Sequence, residues 1–386
     1  MAPNRRGAAP ATQPIAITAP PTDNGNAPPE PYDIASAGMI TKAEVEARGR
    51  GTRENSDSYD SNNFWKSEYR VFWTGVLFLT RLPCPSSIDH HPAYLMRSLQ
   101  WFPIIGAMVG LWGATWLDAF SILWGPGIAA SVSVLATVWI TGALHEDGLA
   151  DTFDGFGGGW GKSQILRIMK DSRIGTYALV GMVVVLSMKF KCIETLLLLE
   201  QQHSFTKGGT ISIDGDRESR MYTSPSAASF HSAGAVLLAV HSICRWTSLP
   251  LIYFCHYIQD EEDAKRGLYN WFAQSKTLLT PLRLLFGTAT AVAIPILAVG
   301  LQKAMVLFAT VIAITVLSSY YGKLVLGGIV GDYLGATIQI AEVACYLVLT
   351  ARWEKVTEEW LVFLKLAVVA AVPVIYCRRI IKAIDC

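Results

Sequence analysis

Charged residues are scarce in this chain. Of its 386 residues only 16% are Asp, Glu, Lys or Arg, and the formal net charge is +1. Proteins that bind nucleic acid usually concentrate positive charge on one surface. The near-neutral balance therefore gives no electrostatic reason to expect a nucleic-acid partner.

Paired cysteines are also lacking. The seven cysteines are odd in number and scattered, and no two of them form a Cys-x-x-Cys pair. This spacing argues against a disulfide framework and against a zinc site. We interpret the cysteines as small apolar residues that fill space between helices.

The N-terminal segment lacks an apolar run. Residues 1–63 are rich in Pro, Ala, Thr, Asn, Ser and Gly and show no hydrophobic period, so we predict a disordered tail. A secretory signal would need an apolar core, which is missing. Arg5 and Arg6, without an acidic residue in the first twenty, are weakly similar to an organelle transit peptide. A targeting segment and a plain tail both stay open.

Long apolar runs dominate the rest of the chain, and 51% of all residues are hydrophobic. Their grouping predicts an all-α, polytopic integral membrane domain over residues 64–386, with about seven to eight transmembrane helices. Residues 64–82 are aromatic but too short for a confident span, so an interfacial helix is predicted there. The predicted spans are 101–123, 128–144, 175–199, 233–257, 281–300, 304–322, 334–350 and 359–377.

The predicted spans place the connecting segments alternately on two sides. The side that holds 145–174 carries more Lys and Arg than the side that holds 200–232. The positive-inside rule therefore predicts that the side that holds 145–174 faces the cytoplasm of a bacterium, or the matrix or stroma of an organelle. Residues 200–232 are polar without a period and predict a flexible inserted loop.

The stretch 142–177, GALHEDGLADTFDGFGGGWGKSQILRIMKDSRIGTY, combines acidic residues and glycines between two long apolar runs. Asp147, Asp151 and Asp154 follow one another at i, i+4 and i+7, on one face of a helix. Like charges at this spacing repel. With Glu146 they predict a Mg²⁺ site, since Mg²⁺ combines one or two carboxylates with substrate phosphates. A solvated acidic loop is the alternative.

The glycines that follow, from Gly155 to Gly161, are expected to let the backbone approach a phosphate. Residues 160–173 have an amphipathic pattern, which predicts a helix lying flat on the membrane. That helix would bring Lys170, Asp171 and Arg173 back towards the acids. Lys170 and Arg173 are candidates to bind phosphate, with ordinary positive-inside anchoring as the alternative.

Two more charged residues lie in or beside apolar runs, where a charge points to function. Arg245, inside 233–257, is a candidate phosphate contact or the ion-pair partner of a carboxylate on another helix, and both readings stay open. Asp332, between glycines at the start of a predicted span, is a candidate second ligand or ribose contact.

Several of these stretches resemble one family. HEDGLADTFDG followed by IMKDSRIGTY is similar to the signature of cobalamin (5′-phosphate) synthase, or adenosylcobinamide-GDP ribazoletransferase, and so are FLTRLPCP and GGIVGDYLGATIQIAE. The resemblance covers about residues 70–350. It implies that a hydroxyl of α-ribazole, or of its 5′-phosphate, attacks adenosylcobinamide-GDP with release of GMP, in a Mg²⁺-dependent reaction beside membrane lipids.

The resemblance and the residues together give the predicted site. His145, Asp151, Lys170 and Arg173 are assigned catalytic roles, with His145 or a free carboxylate as the base; a structural role is the alternative for His145. The predicted metal ligands are Glu146, Asp147, Asp151 and Asp154. The predicted substrate contacts are Lys170, Asp171, Arg173, Arg245 and Asp332. Oligomeric state stays open.

Three other classes of membrane protein share some of these features. A CDP-alcohol phosphotransferase would have Arg after Asp-Gly-x-x-Ala, where this chain has Asp151. A prenyltransferase would need a second Asp-rich motif of the same kind in the other half, where Asp332 is the one candidate residue for it. A cation-coupled transporter would be expected to show inverted repeats and acids near the bilayer midplane.

Overall fold

The computed structural model describes residues 59–60, 62–85, 88, 92–208, 232–258, 275–351 and 353. Within them the chain is helical and contains no strand, apart from an isolated bridge between Tyr257 and Ile329. The helices are α1 (Phe64–Leu79), α2 (Pro92–Ser98), α3 (Phe102–Leu123), α4 (Pro126–Thr141), α5 (Leu144–Gly158), α6 (Lys162–Met169), α7 (Thr176–Gly208), α8 (Ala233–Arg245), α9 (Ser248–Phe254), α10 (Ser275–Leu278), α11 (Pro281–Val325) and α12 (Gly331–Thr350).

The prediction of an all-helical membrane protein is confirmed. Four helical segments of the described chain are long and apolar enough to cross a membrane: Ala93–Leu123, Ala233–Phe254, Pro281–Val325 and Gly331–Thr350. The pair α4 and α5, bent by 91°, makes a fifth if it counts as one span. The structure thus supports four or five spans, where the hydrophobic runs predicted seven to eight.

The lower count has identifiable reasons. The predicted span 175–199 lies in α7, which carries Lys189, Lys191 and Glu194 and is less apolar than the other long helices. The predicted spans 281–300 and 304–322 fall on the two helical parts of α11, which meet at Gly300, where the backbone is non-helical (φ 78°, ψ 163°), so these two spans are counted once above. The predicted span 359–377 lies outside the described residues.

Two predicted loops are partly helical. Helix α7 continues through Gly208, nine positions beyond the predicted boundary, so the predicted flexible loop 200–232 begins as helix. The rest of that loop, up to residue 231, lies outside the described residues, as do residues 1–58 of the predicted tail 1–63. The segment 145–174, predicted to lie between two spans, contains α5, which carries the acids at the expected helical spacing, and α6, which lies within the helix predicted at 160–173.

Helix α8 lies at the centre of the bundle and is buried along nearly its whole length. It packs closely on α3, since a Cβ built at Gly110 would lie 2.6 Å from the carbonyl oxygen of Leu237, and one at Gly106 would overlap that of His241. Small residues four positions apart let membrane helices approach in this way. The main apolar core surrounds α8 and includes Leu117, Ile193 and Val311.

The predicted interfacial helix is α1. Its aromatic Trp65 is 83% exposed, which suits a membrane interface. The inner face is fixed to the bundle by Glu68, which accepts a hydrogen bond from Gln100 (2.8 Å) and is ion-paired with Arg283. The location of α1 relative to the bilayer remains a prediction.

Candidate active site

A sharp turn brings the acidic helix into place. Gly142 and Ala143 both adopt left-handed backbone conformations (φ 63° and 57°), which ends α4 and starts α5 in a new direction. The backbone N–H of Arg81 donates to the carbonyl of Ile140 (2.7 Å). The exposed Arg81 guanidinium lies so close to Gly142 that a Cβ there would overlap it. Glycine at this position is therefore required by conformation and by space.

Three carboxylates from two helices form what we call the carboxylate cluster, Asp147, Asp151 and Asp332. Asp147 is exposed, and the other two are half-buried. Asp151 interacts electrostatically with Asp147, Asp332 and Asp154, and Asp332 interacts with Asp147. The cluster is thus dominated by repulsion between like charges. Lys170, at the end of α6, is an oppositely charged neighbour of Asp332.

Close backbone packing brings the two helices of this cluster together. A Cβ built at Gly148 of α5 would lie 2.7 Å from the carbonyl oxygen of Asp332 and 2.9 Å from its Cα. A Cβ at Gly335 of α12 would lie 3.3 Å from the Cα of His145. The two helices approach each other through their glycines, and this approach places Asp332 beside the acidic motif.

Asp154 has a different environment from the other acids of the motif. Its Oδ2 accepts a hydrogen bond from the backbone N–H of Gly175 (2.6 Å), and its Oδ1 accepts one from Ala178 (2.9 Å). It therefore caps the N-terminus of α7, where backbone donors lack partners within the helix. This capping joins the HEDGLADTFDG motif to the IMKDSRIGTY motif, because Asp154 belongs to the first and Gly175 to the second.

Asp171 and Arg173 bind each other. Asp171 accepts hydrogen bonds from Arg173 Nε (2.9 Å), from its terminal nitrogen (2.6 Å) and from its backbone N–H (3.1 Å). These bonds lower the pKa of Asp171 to about 2. The Arg173 side chain is 87% exposed, so this predicted phosphate ligand is paired at the surface.

The remaining predicted site residues, His145, Glu146 and Arg245, lie inside the bundle. His145 and Arg245 are 2% and 1% exposed. Arg245 donates to Glu342 Oε1 (3.0 Å), so the structure has the ion pair that was the alternative to a phosphate contact. Glu146 accepts a hydrogen bond from Gln339 (2.9 Å). The His145 ring interacts electrostatically with Arg245 and Glu342, and neither ring nitrogen has a hydrogen-bond partner among the described residues.

Sequence reasoning did not identify the arrangement that surrounds these three residues. Glu342, fully buried, contacts Lys189 (2.5 Å), His241 (2.9 Å) and Arg245 (3.0 Å). We call Glu146, Lys189, His241, Arg245, Gln339 and Glu342 the buried network. It contains the carboxyl groups of Glu146 and Glu342 and the basic side chains of Lys189 and Arg245, so acidic and basic groups are present in equal number beside the histidine. The only sequence signal was the presence of these polar residues in apolar runs, which does not identify their partners.

The glycines after Asp154 mainly serve packing. A Cβ at Gly155 would lie 2.5 Å from Met169 Cγ, and one at Gly159 would lie 2.5 Å from Ile165 Cγ1. One at Gly157 would overlap the Tyr177 ring. Only Gly161 has open space around it within this run. The expectation that these glycines approach a phosphate is therefore replaced, for Gly155, Gly157 and Gly159, by close contact with α6 and Tyr177.

The carboxylates suit a metal ion that takes some of its ligands from the protein and the others from the substrate and water, rather than a site in which the protein supplies every ligand. Within the described residues, no group of three or more His, Cys, Asp or Glu side chains is placed to hold a metal ion alone. Mg²⁺ commonly takes only one or two protein carboxylates and completes its shell with phosphate and water oxygens. Asp147 and Asp151, surrounded by like charge, have the chemistry for such a shared site. The assignment of Mg²⁺ ligands remains a prediction.

The comparisons with known proteins decide the family. A family model for cobalamin-5-phosphate synthase matches residues 71–350, which include both motifs and the carboxylate cluster. The chain belongs to the cobalamin-5-phosphate synthase family. The resemblance seen in the sequence is thereby confirmed, over nearly the same residues. No solved structure matches the chain.

Curated relatives agree with the family. An adenosylcobinamide-GDP ribazoletransferase of Shewanella piezotolerans is 30% identical over 290 residues, which cover 74% of this chain and 96% of the relative. The protein of the same name from Shewanella frigidimarina is 32% identical over 287 residues, with the same coverage. The match to this cobalamin-5-phosphate synthase family thus extends over nearly the whole length of these relatives.

Proposed function

We propose that this protein transfers the adenosylcobinamide phosphate of adenosylcobinamide-GDP to α-ribazole or α-ribazole 5′-phosphate, with Mg²⁺. A ribazole hydroxyl oxygen forms a bond to the phosphorus that carries the aminopropanol arm. The bond from that phosphorus to the oxygen of the GMP phosphate breaks, and GMP leaves. The hydroxyl proton passes to a carboxylate. The products are adenosylcobalamin, or its 5′-phosphate, and GMP.

The observation that carries this proposal is the carboxylate cluster within a family of this activity. Asp147, Asp151 and Asp332 come from two helices and repel one another. A pyrophosphate substrate adds further negative charge, so the arrangement requires a cation to be shared between them. When bound, Mg²⁺ would neutralise charge on the pyrophosphate and on the departing GMP.

The surrounding residues support distinct roles. Lys170, a neighbour of Asp332, can balance phosphate charge at the same place. Arg173 is exposed and can exchange its contact with Asp171 for a substrate phosphate. As the base, a carboxylate of the cluster is better placed than His145, because the His145 ring is enclosed in the bundle. We further propose that this face of the protein lies towards the cytoplasm, matrix or stroma.

The test is GMP release by the full-length protein purified in detergent. Reactions would contain adenosylcobinamide-GDP and either α-ribazole or its 5′-phosphate, with Mg²⁺ or with EDTA. The variant Asp151→Asn would be assayed beside Glu194→Gln, which changes a half-buried carboxylate, paired with the exposed Lys191 at 2.8 Å, outside the carboxylate cluster. We expect release that needs acceptor and metal, a fall of about 10³-fold in Asp151→Asn, and near-normal activity in Glu194→Gln.

The two acceptor arms identify which ribazole is used. No release with either acceptor by folded, metal-supplied protein would contradict the proposed reaction, and CDP-activated substrates would then test the CDP-alcohol phosphotransferase alternative. Full activity of Asp151→Asn would leave the reaction in place but remove Asp151 from the site.

A further inference from the structure

Gln339 connects two helices in the interior of the bundle. Its Oε1 accepts a hydrogen bond from Lys189 Nζ (3.0 Å), and its Nε2 donates to Glu146 Oε1 (2.9 Å). The amide orientation follows from its partners, since an ammonium group only donates and an ionised carboxylate only accepts. Gln339 is 2% exposed and Glu146 is 6% exposed, so both bonds are shielded from water.

Glu342 holds the other end of this connection. One turn further along α12, it contacts Lys189 at 2.5 Å and Arg245 at 3.0 Å. Lys189 comes from α7 and Arg245 from α8, so Glu342 ties three helices together. Removing one partner of such a pair leaves a charge in the interior, so the network resists rearrangement.

The same two helices carry the carboxylate cluster. Asp332 and Gln339 are seven positions apart on α12 and therefore lie on one face. Asp147 directly follows Glu146 on α5. Between these points the backbones are in close contact at Gly148 and Asp332. The bond between Gln339 and Glu146 is a side-chain contact between these two helices, and it can set how α5 lies along α12.

We infer that Gln339, supported by Glu342, is a positioning residue that sets the register between α5 and α12 and so holds Asp147 and Asp151 opposite Asp332. This inference rests on the proposed function, in which these carboxylates bind the metal and pyrophosphate. Outer partners that orient metal-binding groups commonly change metal affinity 10- to 100-fold when they are removed.

The test compares two buried glutamines. Gln339→Leu removes both bonds of Gln339 without adding charge. Gln100→Leu is the matched control, because Gln100 is also buried and donates to a carboxylate, Glu68, at 2.8 Å, but on α1. Gln339→Glu is a second variant that keeps the size and the acceptor for Lys189 but loses the donor to Glu146, in case Gln339→Leu does not fold.

Binding of Mn²⁺ would be measured by electron paramagnetic resonance on each full-length protein in detergent, with adenosylcobinamide-GDP present, together with thermal unfolding. We expect Mn²⁺ affinity to fall at least about tenfold in Gln339→Leu and Gln339→Glu and to stay unchanged in Gln100→Leu. Both leucine variants should unfold at lower temperature. The Mg²⁺ concentration for half-maximal GMP release should rise in parallel for the Gln339 variants alone.

Wild-type Mn²⁺ affinity in both Gln339 variants would overturn the inference and leave Gln339 as a purely structural residue. The inference is also overturned if Gln100→Leu weakens Mn²⁺ binding as much as Gln339→Leu does, because the weaker binding would then reflect general destabilisation of the protein. If the wild-type protein releases GMP but binds no Mn²⁺, the metal site of the proposed function fails and the positioning role fails with it. A wild-type protein that releases GMP and binds Mn²⁺, with Gln339 variants that bind Mn²⁺ equally well, would therefore refute the positioning role and leave the proposed function in place.

Discussion

The protein contains two groups of charged side chains that the same helices α5 and α12 help to form, and they differ in how their charge is balanced. In the buried network, Glu342 contacts three basic groups within 3.0 Å. In the carboxylate cluster, Asp151 has three carboxylates as its electrostatic neighbours. The first group balances its charge within the protein. The second has an excess of negative charge, with Lys170 as a positive neighbour of Asp332, and this excess is the physical basis for proposing that it binds a metal ion and a pyrophosphate.

The largest effect is expected from breaking the balanced group. Glu342→Gln leaves Lys189 and Arg245 without their shared carboxylate in a buried site. The free energy of unfolding should fall by about 3–5 kcal/mol, measured by titration with a denaturing detergent.

The control for this change is Glu194→Gln, whose partner Lys191 is 69% exposed. A surface pair of this kind contributes about 0–1 kcal/mol. Adding Lys189→Met to Glu342→Gln should recover part of the lost stability, since one of the two unpaired cations is then removed. Equal destabilisation by Glu342→Gln and Glu194→Gln would contradict the special role of the buried network.

The opposite result is expected in the carboxylate cluster. Asp332→Asn removes one of several charges that repel one another. The free energy of unfolding without metal should therefore stay the same or rise slightly. GMP release should nevertheless fall by about 10²-fold, because the cation and phosphate lose a neighbouring carboxylate. Unfolding and GMP release measured on the same preparation check both parts. A large loss of stability in Asp332→Asn would mean that the cluster is structural, like the buried network.

The contrast also separates what the sequence could predict from what it could not. The acids at 147, 151 and 154 were identified from their helical spacing, and Lys170 was expected near them; both are local patterns. The partner of Arg245 lies 97 positions away in the sequence. A single sequence gives no pairing information over that distance, so a phosphate contact and an ion pair looked equally plausible.

The errors in the fold prediction have similar causes. Hydropathy identified apolar runs, and Lys189 indicates that one of them ends near Met188. In the structure α7 continues past Lys189, whose ammonium group is paired with Glu342 and Gln339 of α12. The acidic motif lies between two predicted spans, and the spacing of its acids predicts a helix, as the structure has it. What a single sequence does not reveal is that the glycines of this motif pack against Asp332, Met169 and Tyr177.

A smaller effect is expected at Gly148, where α5 is in close contact with α12. In Gly148→Ala the new Cβ would lie 2.7 Å from the carbonyl oxygen of Asp332, so α5 and α12 must move apart. This should cost about 1–3 kcal/mol of unfolding free energy and lower GMP release, since Asp332 moves away from Asp147 and Asp151.

The matched control is Gly161→Ala in the same glycine-rich stretch, where a Cβ would have no neighbour within 4 Å. Its unfolding free energy should change by about 0.5 kcal/mol or less. If both alanine variants behave alike in unfolding and in GMP release, close approach at Gly148 does not matter for the carboxylate cluster.

The smallest effect is expected at the exposed pair of Asp171 and Arg173. The pKa of Asp171 is lowered to about 2 in the folded protein, against an ordinary value near 4. Any stabilisation from this pair is therefore fully present above about pH 4 and is lost as the pH falls towards 2. Between pH 5 and 9 it should not contribute to the pH dependence of stability or of GMP release.

Asp171→Asn tests whether Arg173 is available to substrate. The variant should unfold like the wild type, because the pair is exposed and screened by salt. Its KM for adenosylcobinamide-GDP should fall slightly, by about threefold or less, since the guanidinium is no longer shared, and the difference should disappear at high salt. A tenfold loss of kcat instead would show that Asp171 itself contacts the substrate. The exposed pair would then belong with the carboxylate cluster, as acidic charge that only an external partner can satisfy.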